Sequence, residues 1–433
     1  MNDIAYFKDQ FEQLQEADPK GTIAGLRQSG FDSFSKAGVP TFHDEDWKYT
    51  NVSSLFDKEY HIAELSGVTL ADVDAVRLPG SELANELVFV NGRFVAGLSN
   101  IRSGISDLIV LPLEAAATGA YKDLVAAQLD HSSNYLSDGI HALNTSFICG
   151  GVFIHVLKGK EPKHPVYFYH ILDTRQHPSL AQPRSLVLVD ESSRLQLTET
   201  YATLGPSDSF NNQVMEIVVK ENAFVEYYKI QNDTENASQV NTTHIRQIGR
   251  SYVHTVTLTL NGAIVRNNMN LVLDANGNET HLYGLYLLKG KSHADNHTLI
   301  DNLKPNCFSN QLYKGIADDA STAVFNGRIV VQPDAQKTNA YQSNKNILLS
   351  DNATINTKPQ LEIFADDVKC SHGCTVGQLD EEALFYLRAR GIPKESAEVL
   401  LLEAFAADIV EQIKPEVLRS YVSKLIYEHL AIQ

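Results

Sequence analysis

Cysteine is scarce in this 433-residue chain, which carries only Cys149, Cys307, Cys370 and Cys374. Four thiols are too few for a disulfide framework at this length, so those that cluster invite a metal or redox reading. No stretch approaches the roughly 18 apolar residues of a membrane-spanning helix. Met1 to Glu16 carries Asp3, Lys8, Asp9, Glu12 and Glu16, which leaves no room for the apolar stretch of a secretory leader. The expected setting is therefore cytoplasmic, with no membrane partner. Positive charge is also short: 36 Lys and Arg stand against 53 Asp and Glu, a formal net charge of -17. Such a surface lacks the basic footprint that a nucleic-acid backbone or an anionic lipid surface needs.

The common catalytic signatures are missing too. There is no G-x-S-x-G elbow, no H-E-x-x-H helix and no G-x-G-x-x-G after a strand. Gly284 followed by Gly290-Lys291-Ser292 superficially suggests a phosphate loop. However, five residues separate the glycines where the motif has four, and Leu285 to Leu288 reads as strand. Direct ATP binding by this chain is not expected.

A hydrophobic fraction of 43% and a charged fraction of 21% describe a folded globular protein. Residues 1–150 read as a mixed, largely helical domain. Tyr6, Phe7, Phe11 and Leu14 recur at helical spacing until Gly38-Val39-Pro40, and Trp47, the only tryptophan, is expected to anchor its loop on the core. Leu87 to Val90 and Phe94 to Ala96 flank Asn91-Gly92, a hairpin turn signal.

Residues 151–375 change character, with short Val-, Ile-, Tyr- and Thr-rich runs such as Val214 to Val219 and Val253 to Leu260. Turn pairs punctuate them at regular intervals, among them Asn222-Ala223, Asn261-Gly262, Asp319-Ala320, Asp334-Ala335 and Asn352-Ala353. Such spacing suits a solenoid, and a jelly roll or sandwich is the competing architecture. Residues 376–433 read as helices, with Asp380 as a cap, Gly391 as a stop and Pro393 and Pro415 as starts. In the second helix Ala397, Leu401, Phe405, Ile409 and Ile413 form one apolar row, and Leu402, Ala406 and Val410 the next. A face that wide requires cover from its own domain or from another subunit.

The most distinctive stretch is Leu361 to Thr375. If it is extended, Cys370, His372 and Cys374 project from one face. Thiolate and imidazole ligate iron or zinc, yet a closed tetrahedral site takes four ligands and this stretch offers three. The alternative reading packs Cys370 as a small hydrophobe and gives His372 an ordinary hydrogen bond.

Together with Gly327 to Val331, Ala335 to Ala340, Lys358 to Ile363, Ala365 to Gly373, Val376 to Asp380 and Leu384 to Ile392, this stretch resembles the SufD family of the iron-sulfur cluster assembly system. Pro305 to Ser309, Leu312 to Gly315 and Trp47 to Thr50 are similar to the same family. The resemblance implies a mainly β fold: a right-handed parallel β-helix core between N-terminal and C-terminal helical regions. It implies a non-catalytic scaffold that pairs with SufB through the β-helix and docks the SufC ATPase through its C-terminal helices. Leu384, Phe385, Leu401, Leu402 and Phe405 are the docking candidates. ATP then enters only through SufC. A transient iron-sulfur cluster would be shared with SufB at Cys370 and His372, with Cys374 as a spare ligand or merely a tolerated small residue. The chain departs from the family at Cys374, commonly alanine, and at Asn302, frequently histidine. Self-pairing of the isolated chain is compatible with an exposed strand edge.

Two alternatives stand beside this reading. A SufB-like subunit shares fold and ancestry, although the Ala365 to His372 wording favours SufD. A β-helix polysaccharide hydrolase would use Asp366, Asp367 and His372, but adjacent aspartates on a strand point to opposite faces.

Overall fold

The computed structural model describes residues 3–17, 22–62 and 66–431. From Arg194 to Gly377 the chain lays down thirteen strands of 9 to 11 residues. Each pairs in parallel with the next strand but one, so successive strands alternate between two facing sheets. The result is a parallel β-solenoid of about eight turns. Parallel register throughout these strands excludes the jelly roll, whose strands run antiparallel.

The coil length explains the spacing seen in the sequence. Asn268 lies opposite Thr242 and Lys358 opposite Asn326, each pair one coil apart. Each coil has two corners, so the turn pairs at Asp319, Asp334 and Asn352 mark successive half-coils. Asn222 and Asp319 take φ of 56° and 52° at such corners, a conformation that Asn and Asp tolerate better than most residues. Cys307 is buried at a corner and donates its thiol to backbone carbonyls, including that of Lys304 at 3.2 Å. It packs as a small residue.

Side chains that point into the solenoid divide it lengthwise. One half is apolar, built on Met215, Ile217, Ile245, Leu271, Ile300 and Ile329 from one sheet and Leu195, Val225 and Val253 from the other. The other half is polar and contains Glu199 and Lys229, both at most 2% exposed, with 3.7 Å between amine and carboxylate. Burial pushes the Glu199 carboxyl up, but Lys229 and His170 outweigh it and hold it at about 2.

Strands at 85–112, expected within the N-terminal domain, belong instead to the first coil. Asn85–Val90 pairs in parallel with Val166–Asp173, and Leu108–Pro112 closes the other sheet antiparallel to Val152–Val156. The anticipated hairpin is present, Asn91 and Gly92 taking φ of 48° and 84° between Asn85–Val90 and Arg93–Phe94. The sheets of the solenoid thus take strands from Asn85 onward, ahead of residue 151.

Helices Asp3–Ala17, Thr22–Ala37 and Gly139–Ser146 gather Phe7, Phe11, Phe31, Phe34 and Phe147 into one cluster, seated on Leu180, Phe210 and Val240 of the sheet. Trp47 does anchor its loop: it is 2% exposed, with the Arg266 guanidinium 3.8 Å from its ring centroid. Helices Glu381–Arg388, Lys394–Val410 and Glu416–Ala431 follow the last strand. Asp380 caps the first through the amides of Glu382 and Ala383, and Gly391 ends it at φ 87°. Leu402, Ala406, Ile409 and Ile413 pack on Tyr228, Val256, Leu258 and Leu285 of the second sheet.

Candidate functional site

The solenoid stops abruptly. Among the described residues its last coil consists of Thr354–Ile363, paired only with Thr322–Val331, and Lys369–Gly377, paired only with Asn339–Leu348. Both outer edges carry main-chain groups with no further described strand to meet. Between them the chain bends at Asp366 and Asp367, where Lys337 at φ 60° donates its amide to the Asp367 carbonyl at 2.6 Å. The two aspartates thus lie in an exposed bend rather than on a strand.

Lys369–Gly377 is extended, as the sequence suggested, and its register fixes which side chains face inward. Cys370 stands over Ala340, His372 over Gln342, Cys374 over Asn344 and Val376 over Asn346. All four residues beneath are buried and point into the solenoid. Cys370, His372, Cys374 and Val376 therefore rim its open mouth, facing Ile355, Thr357, Pro359 and Leu361 across it. Cys370 is half-buried against the core and the other three are exposed. Burial raises the Cys370 thiol above its ordinary range, opposed in part by the Ala340 backbone.

Alternate residues on a strand are about 6.6 Å apart, whereas ligating atoms on one tetrahedral metal lie about 3.5 Å apart. In keeping with this, no group of three His, Cys, Asp or Glu gathers to hold a metal among the described residues. The mouth thus presents Cys370, His372 and Cys374 as separate side chains along one edge. Arg328 grips Glu362 through two hydrogen bonds of 2.7 and 2.8 Å, and Lys358 reaches Glu45, so the last coil is braced to its neighbour and to the N-terminal region.

The docking candidates of the tail divide into two groups. Leu402 is buried on the sheet, and Phe405 packs beside it with Lys314 Nζ 4.4 Å from its ring. The Lys314 amine also donates to the Phe405 carbonyl at 2.7 Å and to Asp408 at 2.6 Å. Own-domain packing thus uses Leu402 and much of Phe405, while Leu401 and Leu384 are half-buried. Phe385 is 73% exposed and its neighbour Tyr386 56%. Tyr386, not among the docking candidates, stands beside Phe385 on this short helix, which has no buried residue.

Residues 170–405 match the SufBD core domain of SUF system FeS cluster assembly, and residues 2–167 match the SufBD protein N-terminal region. The chain belongs to the SufBD family. Among its SufBD relatives, a SufBD family iron-sulfur cluster assembly protein of Synechocystis sp. is 33% identical over 405 residues, covering 90% of this chain and 87% of its own. Escherichia coli SufD is 30% identical over 404 residues, covering 91% and 90%. Bacillus subtilis SufD is 26% identical over 325 residues, covering 71% and 72%. The SufBD core match spans most of the solenoid, the open mouth and part of the tail, while the first coil falls in the N-terminal match.

Proposed function

We propose that this SufBD family chain is a non-catalytic, SufD-type scaffold subunit on which a nascent iron-sulfur cluster is built at a boundary with a SufB-like subunit. The observation that carries this reading is the uncovered last coil. Its inward column at Cys370, His372 and Cys374 occupies the level that a further coil would otherwise bury. A second solenoid end set against this mouth would cover both free edges and supply the missing ligands. A neutral imidazole beside a partner thiolate gives mixed ligation suited to iron, and a shared site can release its cluster when the boundary opens. In the absence of that partner, the same mouth suits a second copy of this chain.

The exposed Phe385 and Tyr386 favour the first tail helix as the seat of a SufC-like ATPase, through which ATP would act without binding here. The test is co-purification with SufB and SufC candidates, followed by anaerobic iron and sulfide analysis. His372→Ala is expected to leave folding and assembly intact while lowering the cluster content of the complex by about 10-fold, a typical cost of disturbing a metal site. Full cluster content in a properly assembled His372→Ala complex would overturn the assignment.

A further inference from the structure

The inward columns ending at Cys370, His372 and Cys374 differ beneath the surface. Under Cys370 lie Ala340 and then Ser309, small residues with little to offer a metal site. Under Cys374 the column is polar but closed. Asn344 donates its amide to the Tyr286 hydroxyl at 3.0 Å and the Tyr313 carbonyl at 3.2 Å, and its oxygen accepts from Asn346 at 2.7 Å and Thr357 at 2.9 Å. An asparagine side chain has two N–H donors and two lone pairs, so nothing remains.

Under His372 a hydrogen-bond chain runs toward the mouth and stops one rung short. Gln311 Nε2 donates to Thr298 Oγ1 at 2.5 Å, and Gln342 Nε2 donates to Gln311 Oε1 at 2.9 Å. Gln342 is 3% exposed, and its Oε1 has no hydrogen-bond partner among the described residues. His372 stands directly over it in register, on a strand about 4.8 Å away. On the facing sheet Gly327 leaves the space that this amide fills, since a Cβ there would lie 2.5 Å from Gln342 Nε2.

We infer that Gln342 is the positioning residue of His372. Its Oε1 accepts the imidazole N–H, which fixes the tautomer and turns the other ring nitrogen, with its lone pair, out of the mouth toward iron. A buried acceptor without a donor and a histidine with one N–H to give satisfy each other. Metal-bound histidines are held by this kind of outer contact. The inference rests on the reading of His372 as a cluster ligand.

The test compares Gln342→Met, Gln342→Glu, Gly327→Ala and His372→Ala in the complex with SufB and SufC. Long-range proton–nitrogen NMR of the full chain with labelled histidine reads the His372 tautomer independently. Gln342→Met removes the acceptor at similar length and is expected to lower cluster content about 10-fold without altering assembly. In the same variant, the single His372 tautomer becomes a mixture. Gln342→Glu in its neutral form keeps both a donor to Gln311 Oε1 and an acceptor at the same reach, and restores both readouts. Gly327→Ala crowds the amide without deleting it, and the Phe325 ring 2.6 Å away as well, and repeats the loss in a complex that assembles fully. Full cluster content and an unchanged tautomer in Gln342→Met, with His372→Ala still deficient, would overturn the positioning role alone. Full cluster content in His372→Ala would overturn the site and the positioning role together.

Discussion

The two ends of the solenoid are built from the same kind of strand and finished in opposite ways. At the first coil a hairpin and an antiparallel strand close the sheets, and the inward residues Leu87, Phe89 and Leu108 are at most 1% exposed. At the last coil parallel strands simply end, leaving Leu361 half-buried and Val376 44% exposed. Closing an end stabilises a fold, and leaving one open is tolerable only where something else covers it or where the exposure is small. The contrast is one of burial, which the chain completes at its first coil and forgoes at its last.

The largest expected effect follows from that contrast. Phe89→Ala removes a ring stacked on Phe168 at 5.5 Å between centroids and is expected to cost about 3–5 kcal/mol, the range for a buried aromatic. Leu361→Ala deletes a side chain already half in water and is expected to cost about 1 kcal/mol. Urea unfolding of the isolated chain measures both. Equal losses would mean that the last coil is as well packed as the first, and the distinction between the ends would fail.

Much of this architecture was legible in the sequence because a solenoid repeats its instructions. Asn222, Asp319 and the other small polar corners recur at half-coil intervals, and the alternation of Cys370, His372 and Cys374 was enough to place them on one face. Membership of the first coil was not legible, because Asn85–Val90 and Leu108–Pro112 are separated by loops and followed by helices, so local sequence suggests a mixed domain. Their sheet partners lie far along the chain, beyond those helices, as in Leu108 with Val156 and Asn85 with Val166. Gln342 was invisible for a related reason, since its unpaired oxygen depends on Gln311 and Thr298 from two other strands.

A smaller effect sharpens the comparison at the open end. Val376→Asp places a charge on the rim, where the side chain is already 44% exposed, and is expected to leave the melting temperature of the isolated chain within about 2 °C. Against a SufB-like partner the same charge would be buried, with an expected affinity loss of about 2 kcal/mol, or roughly 30-fold. Calorimetric titration of the partner measures it. Unchanged affinity with full complex formation would move the interface away from the mouth.

Acidification gives the smallest separation per group and acts on the other half of the molecule. His141 and His244 sit where the N-terminal helices meet the sheet, His244 accepting or donating a 2.9 Å bond with His131 and His141 one of 3.0 Å with Ser132. Burial drives both imidazoles down to about 3; Arg184 also lowers both, and His131 and Arg246 lower His244, while Glu216 opposes the shift. Because the folded values lie below the unfolded value near 6.5, the unfolded chain binds more protons between them. Stability is therefore complete above about pH 6.5 and falls as pH drops toward 3, by about 1 kcal/mol per histidine between pH 7 and 5.5. His244→Gln removes one of these groups and is expected to flatten the decline by that amount in urea unfolding at the two pH values. Hydrogen exchange at pH 5.5 should then show opening first around residues 130–146 and 237–247, and later at 354–377. If acid opened the mouth first, the junction of the N-terminal helices with the sheet would not be where the buried histidines exert their cost, and the open end would be the weaker region in acid as well as in packing.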